Sequence, residues 1–434
     1  MKKNIFFVSL AIISISLFYN CSKKPEITKP LEVSMNSDNV TTEDFIITNT
    51  EAQEIASNFD IFSMQKTEIN TLKSKTNKQK KLKNKKTFKD KTGKDAIHIF
   101  NYEMDGHKSF VIVSGDKRLQ RILAFSNKNN FNFENDMPDI ITFWLNSKIE
   151  KIENLRETNL KISKQNNENV IKHNLPGDDE HEQDGGGNFD GTGCTSYDYI
   201  YQAGPLLETD WGQGLVYNQF FPGKRNYNIY CYDLPDDNIY TTSPVTAMAQ
   251  LMKYHGYPTS YLMNNMENSY FPDNYNYASQ LTAQLMLDVA YQIFKDDYDS
   301  VDDEYKFMWC WDFVPLNTLD RIKEALLDGF NYTDAETDIF WINYELVKDN
   351  LKNGYPVILK AGCINTKPYA WVCDGYQVFQ NSCETLLFFH MNWGLDIDAG
   401  SDYDGWYGIF DFSLTHEYEY GVNGCIEVLL NIKP

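Results

Sequence analysis

Ser243-Pro-Val-Thr-Ala-Met-Ala-Gln-Leu-Met-Lys-Tyr-His-Gly-Tyr-Pro258 is the stretch whose reading decides the fold. Serine is a favoured N-cap, and proline is well placed at the first helical position, where its missing N–H would have no partner anyway. Val245, Met248, Ala249, Met252 and Lys253 follow at helical spacing, so a helix is predicted over 244–255. A side chain at such a terminus lies among unpaired backbone N–H groups, at the positive end of the helix dipole. A cysteine there would be acidified, and the same N–H groups would serve an oxyanion. Serine gains far less, because its hydroxyl keeps its proton unless a base removes it. A plain helix cap therefore accounts for every local residue around Ser243 without chemistry.

Working outward, helices are predicted at 279–294, 316–328 and 342–353, and strands at 357–361, 370–375, 386–392 and 406–412. Helices first and strands after imply an α+β domain with a helical half and a sheet half. Upstream, Thr42-Glu-Asp-Phe45 leads into an amphipathic helix over 51–59. Apolar runs over 97–103, 109–114 and 121–126 are separated by Asp105-Gly106 and Gly115-Asp116, and read as antiparallel strands. An amphipathic helix over 139–152 closes a small α+β module. The expected division is a signal at 1–21, a polar tether at 22–40, this module at 41–155, an acidic, Gly-rich linker at 156–198 and a second domain at 199–434. The lysine run at 73–91 reads as a solvated loop, with a basic patch for anionic lipid or glycan as the sharper alternative.

The chain has 434 residues, enough for about two domains plus tails. Its formal net charge of −21 argues against nucleic-acid binding, which needs a basic footprint. Lys2 and Lys3 precede an apolar run over 5–18 that has the length of a signal-peptide core and is too short to span a bilayer. Cys21 follows, and the pattern reads as a lipoprotein signal with lipidation at Cys21; plain secretion and a retained anchor are the alternatives. The eight cysteines include no C-x-x-C pair, so no zinc knuckle is expected, and no cofactor. With Cys21 set aside, the odd remainder leaves at least one free thiol in an exported protein.

The segments 205–218 and 246–258, followed by Tyr369-Ala-Trp-Val-Cys-Asp-Gly-Tyr376 and Phe389-His-Met-Asn-Trp-Gly394, resemble the peptidase domain of streptopain-family cysteine peptidases. Phe110-Val-Ile-Val-Ser-Gly-Asp116 and Ile122-Leu-Ala-Phe-Ser126 resemble the propeptide of that family, which also occurs as a stand-alone inhibitor. The resemblance covers about residues 200–434 and the N-terminal module. It implies a papain-like fold, with the nucleophile on a central helix and the histidine on the opposing sheet. The family's cysteine lies seven residues before the helix glutamine; that glutamine is Gln250 here, and the position holds Ser243. The family's histidine opens the His-Ala-Trp/Phe-Val-x-Asp-Gly strand, and that position holds Tyr369. The residues that orient the histidine correspond to Asn392 and Trp393, both kept, whereas the usual Trp-Gly-Trp-Gly-Gly is replaced by Trp393-Gly-Leu-Asp396. An engineered Cys→Ser exchange would account for Ser243 but not for Tyr369.

Other candidates carry simpler readings. His390 shares a strand face with Asn392 and is the first suspect for a substitute base. Cys373 reads as core and His255 as a helix cap; Gln213 is a candidate for an oxyanion-side glutamine without a spacing that assigns it. The stretch 396–405 hints at a calcium loop but breaks the ligand pattern at Gly400 and reads as a solvated acidic loop. The expectation is an exported, lipid-anchored pseudopeptidase that binds a protein or peptide, a related active protease among the possibilities, as decoy, inhibitor or scaffold. The rival is an active cysteine-type peptidase relative that hydrolyses peptide bonds.

Overall fold

The computed structural model describes residues 42–59, 80–133, 137–158, 197–221, 241–271, 275–295, 317–339, 344–362, 368–380, 385–395, 403–408 and 426–434. It is an α+β fold, as expected. The described elements in chain order are α1 (Asn49–Asn58), β1 (Lys81–Lys89), β2 (Asp95–Met104), β3 (His107–Ser114), β4 (Ile122–Ser126), α2 (Asp139–Thr158), β5 (Asp198–Ala203), α3 (Ser243–His255), α4 (Tyr277–Ile293), α5 (Thr318–Glu324), β6 (Asp334–Ile339), α6 (Tyr344–Lys352), β7 (Val357–Ala361), β8 (Tyr369–Gln380), β9 (Thr385–Asn392), β10 (Gly405–Gly408) and β11 (Glu427–Lys433). A π-helical turn, Ala325–Gly329, extends α5.

Local chemistry sets the helix ends. Thr48 caps α1 by accepting from the Glu51 N–H, and Asn276 and Ser279 form a reciprocal capping box at α4. Ser243, expected as the cap of α3, is instead its first residue, with Thr242 in the N-cap position and Pro244 next along the first turn, while Gly256, at φ 61°, closes the helix by donating to Lys253 and Met252 carbonyls. Only a residue without Cβ takes that backbone conformation at no cost. His255 was expected to cap this helix; the cap is made by Gly256 instead, and the His255 ring faces Tyr332, with centroids 5.7 Å apart.

The strands form one antiparallel sheet in the order β1-β2-β3-β4-β10-β9-β8-β7-β11-β6, with β5 paired to β8. The N-terminal and C-terminal strands therefore meet, at β4 and β10, where Trp406 pairs with Phe125 and Tyr407 with Ala124. Helix α3 packs against β8 with Val245, Met248 and Met252 in a core shared with Ala370 and Val372. On the other face Trp371, Cys373, Met391 and Trp393 join a second core with Trp144 and Phe131 of the N-terminal module.

Several expectations change. The lysine run is not wholly a loop: Lys81–Lys89 is an edge strand, exposed along most of its length. Lysines suit an unpaired sheet edge because their charge discourages further strand addition. Arg156, assigned to the linker, lies in the last turn of α2 and is buried, with Nη1 2.6 Å from Asp90 Oδ2 and a contact to Asp116. Strands β5, β6 and β11 were not foreseen. The signal and tether with Cys21, residues 159–196 of the 156–198 linker, residues 396–402 of the 396–405 acidic loop and every cysteine except Cys373 lie outside the described residues.

Candidate functional site

Ser243 stands at the N-terminus of α3 and is 4% exposed. Its Oγ accepts from the Ala370 N–H at 3.1 Å, which ties the helix start to β8. That bond takes the hydroxyl oxygen on the strand side, where a nucleophile would meet its base.

Tyr369, the first residue of β8, turns its phenol toward the loop after β9. It donates to the Trp393 carbonyl at 2.8 Å and accepts from Gln213 Nε2 at 3.0 Å. Gln213 Nε2 also donates to the Gly394 carbonyl at 3.1 Å, so its two N–H groups are engaged by this pair. The position of Gln213 is held by the Thr241 N–H on its carbonyl at 2.8 Å. Spacing alone did not assign Gln213; the structure brings it to the site, 156 residues from Tyr369 in sequence. Gly394, at φ +65°, lies so close to α3 that an added Cβ would sit 3.0 Å from Thr246 Cγ2.

Asn392 and Trp393 are in place at the end of β9, but Asn392 is bound to the helix rather than to position 369. Its Oδ1 accepts from Gln250 Nε2 at 2.9 Å, and its Nδ2 donates to the Thr209 carbonyl at 2.7 Å. Gln250 Oε1 in turn accepts from the Trp211 N–H at 3.1 Å. Trp393 lies against Trp371, centroids 4.9 Å apart, and edge-to-face on Tyr407 at 5.2 Å. Its Nε1 donates to the Tyr403 carbonyl at 3.2 Å and its backbone N–H to Asp404 Oδ1 at 2.8 Å. Burial, and then the charge of Asp210, push the Asp404 carboxyl well above the usual range.

His390 does not serve Ser243. Its Nδ1 is 2.6 Å from Asp374 Oδ1, and its ring packs edge-to-face on Trp406 at 4.9 Å. Asp374 Oδ2 accepts from the Leu207 N–H at 2.9 Å. The Ser243 hydroxyl meets β8 at Ala370, four residues from Asp374, which is about 13 Å along a strand at about 3.3 Å per residue. Cys373 is fully buried in the sheet core, and burial pushes its thiol up, the opposite of what a nucleophile needs. Among the described residues no cluster of three or more His, Cys, Asp or Glu side chains is placed to hold a metal ion.

The comparisons with known proteins fit this geometry. Residues 259–407 match the model of the peptidase C10 family, and residues 44–152 match that of the Spi protease inhibitor. The peptidase match begins after Ser243 and includes Tyr369, Asn392 and Trp393. A solved fragment of prointerpain A from Prevotella intermedia aligns at 20% identity over 82% of this chain and 99% of that chain, with a TM-score of 0.51. Active wild-type interpain A cysteine protease from the same organism aligns at 19% identity over 54% of this chain and 95% of that chain, with a TM-score of 0.35, too low to carry a fold comparison. No curated protein matches the chain. The chain is thus related to the peptidase C10 family, with an inhibitor-type module ahead of the peptidase-type region and the α+β architecture of the prointerpain fragment.

Proposed function

We propose that the chain is a catalytically degenerate C10 peptidase relative that acts by binding a protein or peptide rather than by cleaving one. One observation carries the reading: the polar groups at the site are engaged with one another. The Tyr369 phenol bridges Gln213 and the Trp393 carbonyl, and the Ser243 oxygen is bonded to the Ala370 N–H. Peptide hydrolysis by this family's chemistry needs a nucleophile and a proton carrier in contact. A serine facing a backbone amide and a tyrosine facing a carbonyl supply neither. The rival reading, an active peptidase relative, draws on the family relationship and on Asn392 and Trp393 being in place.

The proposal extends to location and partners. The apolar run over 5–18, followed closely by Cys21, supports export with lipidation at that residue, which would present the protein at a membrane surface. A related active protease is the partner class that the inhibitor-type module suggests, with a decoy or scaffold role as the form of the interaction. The deciding experiment is turnover of a diverse peptide library by the purified full-length chain. The expected result is no turnover above that of Ser243→Ala. Turnover that disappears in Ser243→Ala would establish the rival.

A further inference from the structure

We infer that the N-terminal module is a permanent half of the folded protein, joined to the C-terminal part through an aromatic seam, and not a segment that detaches once the connection is cut. The inference does not depend on whether the chain is catalytically active.

The seam has the character of a core. Phe125 on β4 sits at its centre, with ring centroids 5.0 Å from Phe59 of its own module and 5.0 Å from Phe388, 5.9 Å from Phe379 and 6.2 Å from Trp406 of the other part. Lower down, Trp144 meets Tyr407 edge-to-face at 5.0 Å, and Phe131 meets Tyr403 at 4.9 Å. These C-terminal aromatic residues are no more than 3% exposed. Losing the module would uncover the faces of these rings that now meet Phe125, Phe131 and Trp144 and leave β10 as an open sheet edge, a combination a folded protein avoids. Contacts that form and release in solution are more polar than this.

The C-terminal part is also shaped to receive the module. Gly405 opens β10, and a Cβ built there would lie 2.6 Å from the Phe125 carbonyl oxygen, 3.2 Å from Phe110 Cζ and 3.2 Å from Ser126 Cβ. All three atoms belong to the N-terminal module. The backbone at Gly405 is not in the left-handed region, so a side chain is excluded there by the module's proximity rather than by backbone strain.

The seam reaches the site. The Tyr403 hydroxyl donates to the Asn132 carbonyl at 2.6 Å, the Tyr403 carbonyl accepts from Trp393 Nε1, and the Trp393 carbonyl accepts from the Tyr369 phenol. The module thus braces the loop that closes the site. The module face that carries Phe125, Phe131 and Trp144 is spent within the chain, so a second protein that binds the module would meet another face of it.

The test inserts a site-specific protease sequence into the 178–187 stretch of the full-length chain and cuts it to completion. The two fragments should co-elute in size-exclusion chromatography at low micromolar concentration and separate only in denaturant. Separate elution of the fragments in native buffer would overturn the inference. Gly405→Val supplies the second arm: in the cut protein it should lower the denaturant midpoint for fragment separation or release the module outright. An unchanged midpoint would show that the close approach at Gly405 does not hold the seam. If Gly405→Val does not fold, the cut wild-type chain decides alone.

Discussion

Removing the Tyr369 hydroxyl tests the closed site directly. Tyr369→Phe keeps the ring and deletes one O–H, which breaks the 2.8 Å bond to the Trp393 carbonyl and the 3.0 Å bond from Gln213 Nε2. A hydrogen bond of this kind contributes about 0.5–1.5 kcal/mol net, so the pair accounts for about 1–3 kcal/mol. Gln213 is buried, and its Nε2 loses the phenol oxygen as an acceptor, which places the cost in the upper part of that range. Urea unfolding followed by tryptophan fluorescence reads the difference as a lower midpoint at constant slope. A double-mutant cycle with Gln213→Ala isolates the Tyr–Gln bond, with an expected coupling of about 0.5–1.5 kcal/mol. A Tyr369→Phe protein within about 0.5 kcal/mol of wild type, with no coupling to Gln213, would refute the closed-site reasoning, because surface changes of no structural consequence fall in that interval.

Other outcomes follow from the same geometry. Ser243→Cys alone and Tyr369→His alone should leave peptide turnover at background, since groups acting as a unit are strongly non-additive, while the double variant should show weak activity; cleavage by Ser243→Cys alone would reveal another base in the cleft. Labelled fatty acid should enter the wild type and not Cys21→Ala, and equal labelling would exclude lipidation at that residue. Burial holds His255 down at about 4 against an ordinary 6.5, so the unfolded chain binds a proton over that window that the folded chain does not. Stability should therefore fall by about 3 kcal/mol as pH drops from about 6.5 to about 4, and His255→Phe should flatten that slope in urea titrations at stepped pH. Arg156→Ala should destabilise by about 3–5 kcal/mol, because Asp90 loses its buried cation while Asp116 keeps Arg118, and thermal unfolding would report it.

The elements with strong local signals were legible. Ser243-Pro244 marks the start of α3, and the apolar runs rich in β-branched and aromatic residues mark β2, β3, β4, β7 and β9 within a few residues. The structure places the four positions named by motif, Ser243, Tyr369, Asn392 and Trp393, at the meeting of α3, β8 and the end of β9. Strand β1 was missed because most of its residues are exposed, so no alternation of apolar and polar residues exists to report it. His390 was a suspect because it shares a face with Asn392; the structure shows it committed to Asp374, further along the sheet.

What the sequence by itself determined is therefore local: where helices start and stop, which short segments are apolar, and which residue types stand at the chemically telling positions. Propensity, capping and periodicity act over a few residues and leave a readable trace. Only the tertiary structure decided which of those residues touch. The Gln213–Tyr369 bond spans 156 positions, the Gln250–Asn392 bond 142, and β4 pairs with β10 across the whole linker. Such partners are chosen by the packing of α3 on the sheet and by the burial of Phe125 among aromatic rings from both parts of the chain, and packing over that distance leaves no periodic mark on the segments it joins.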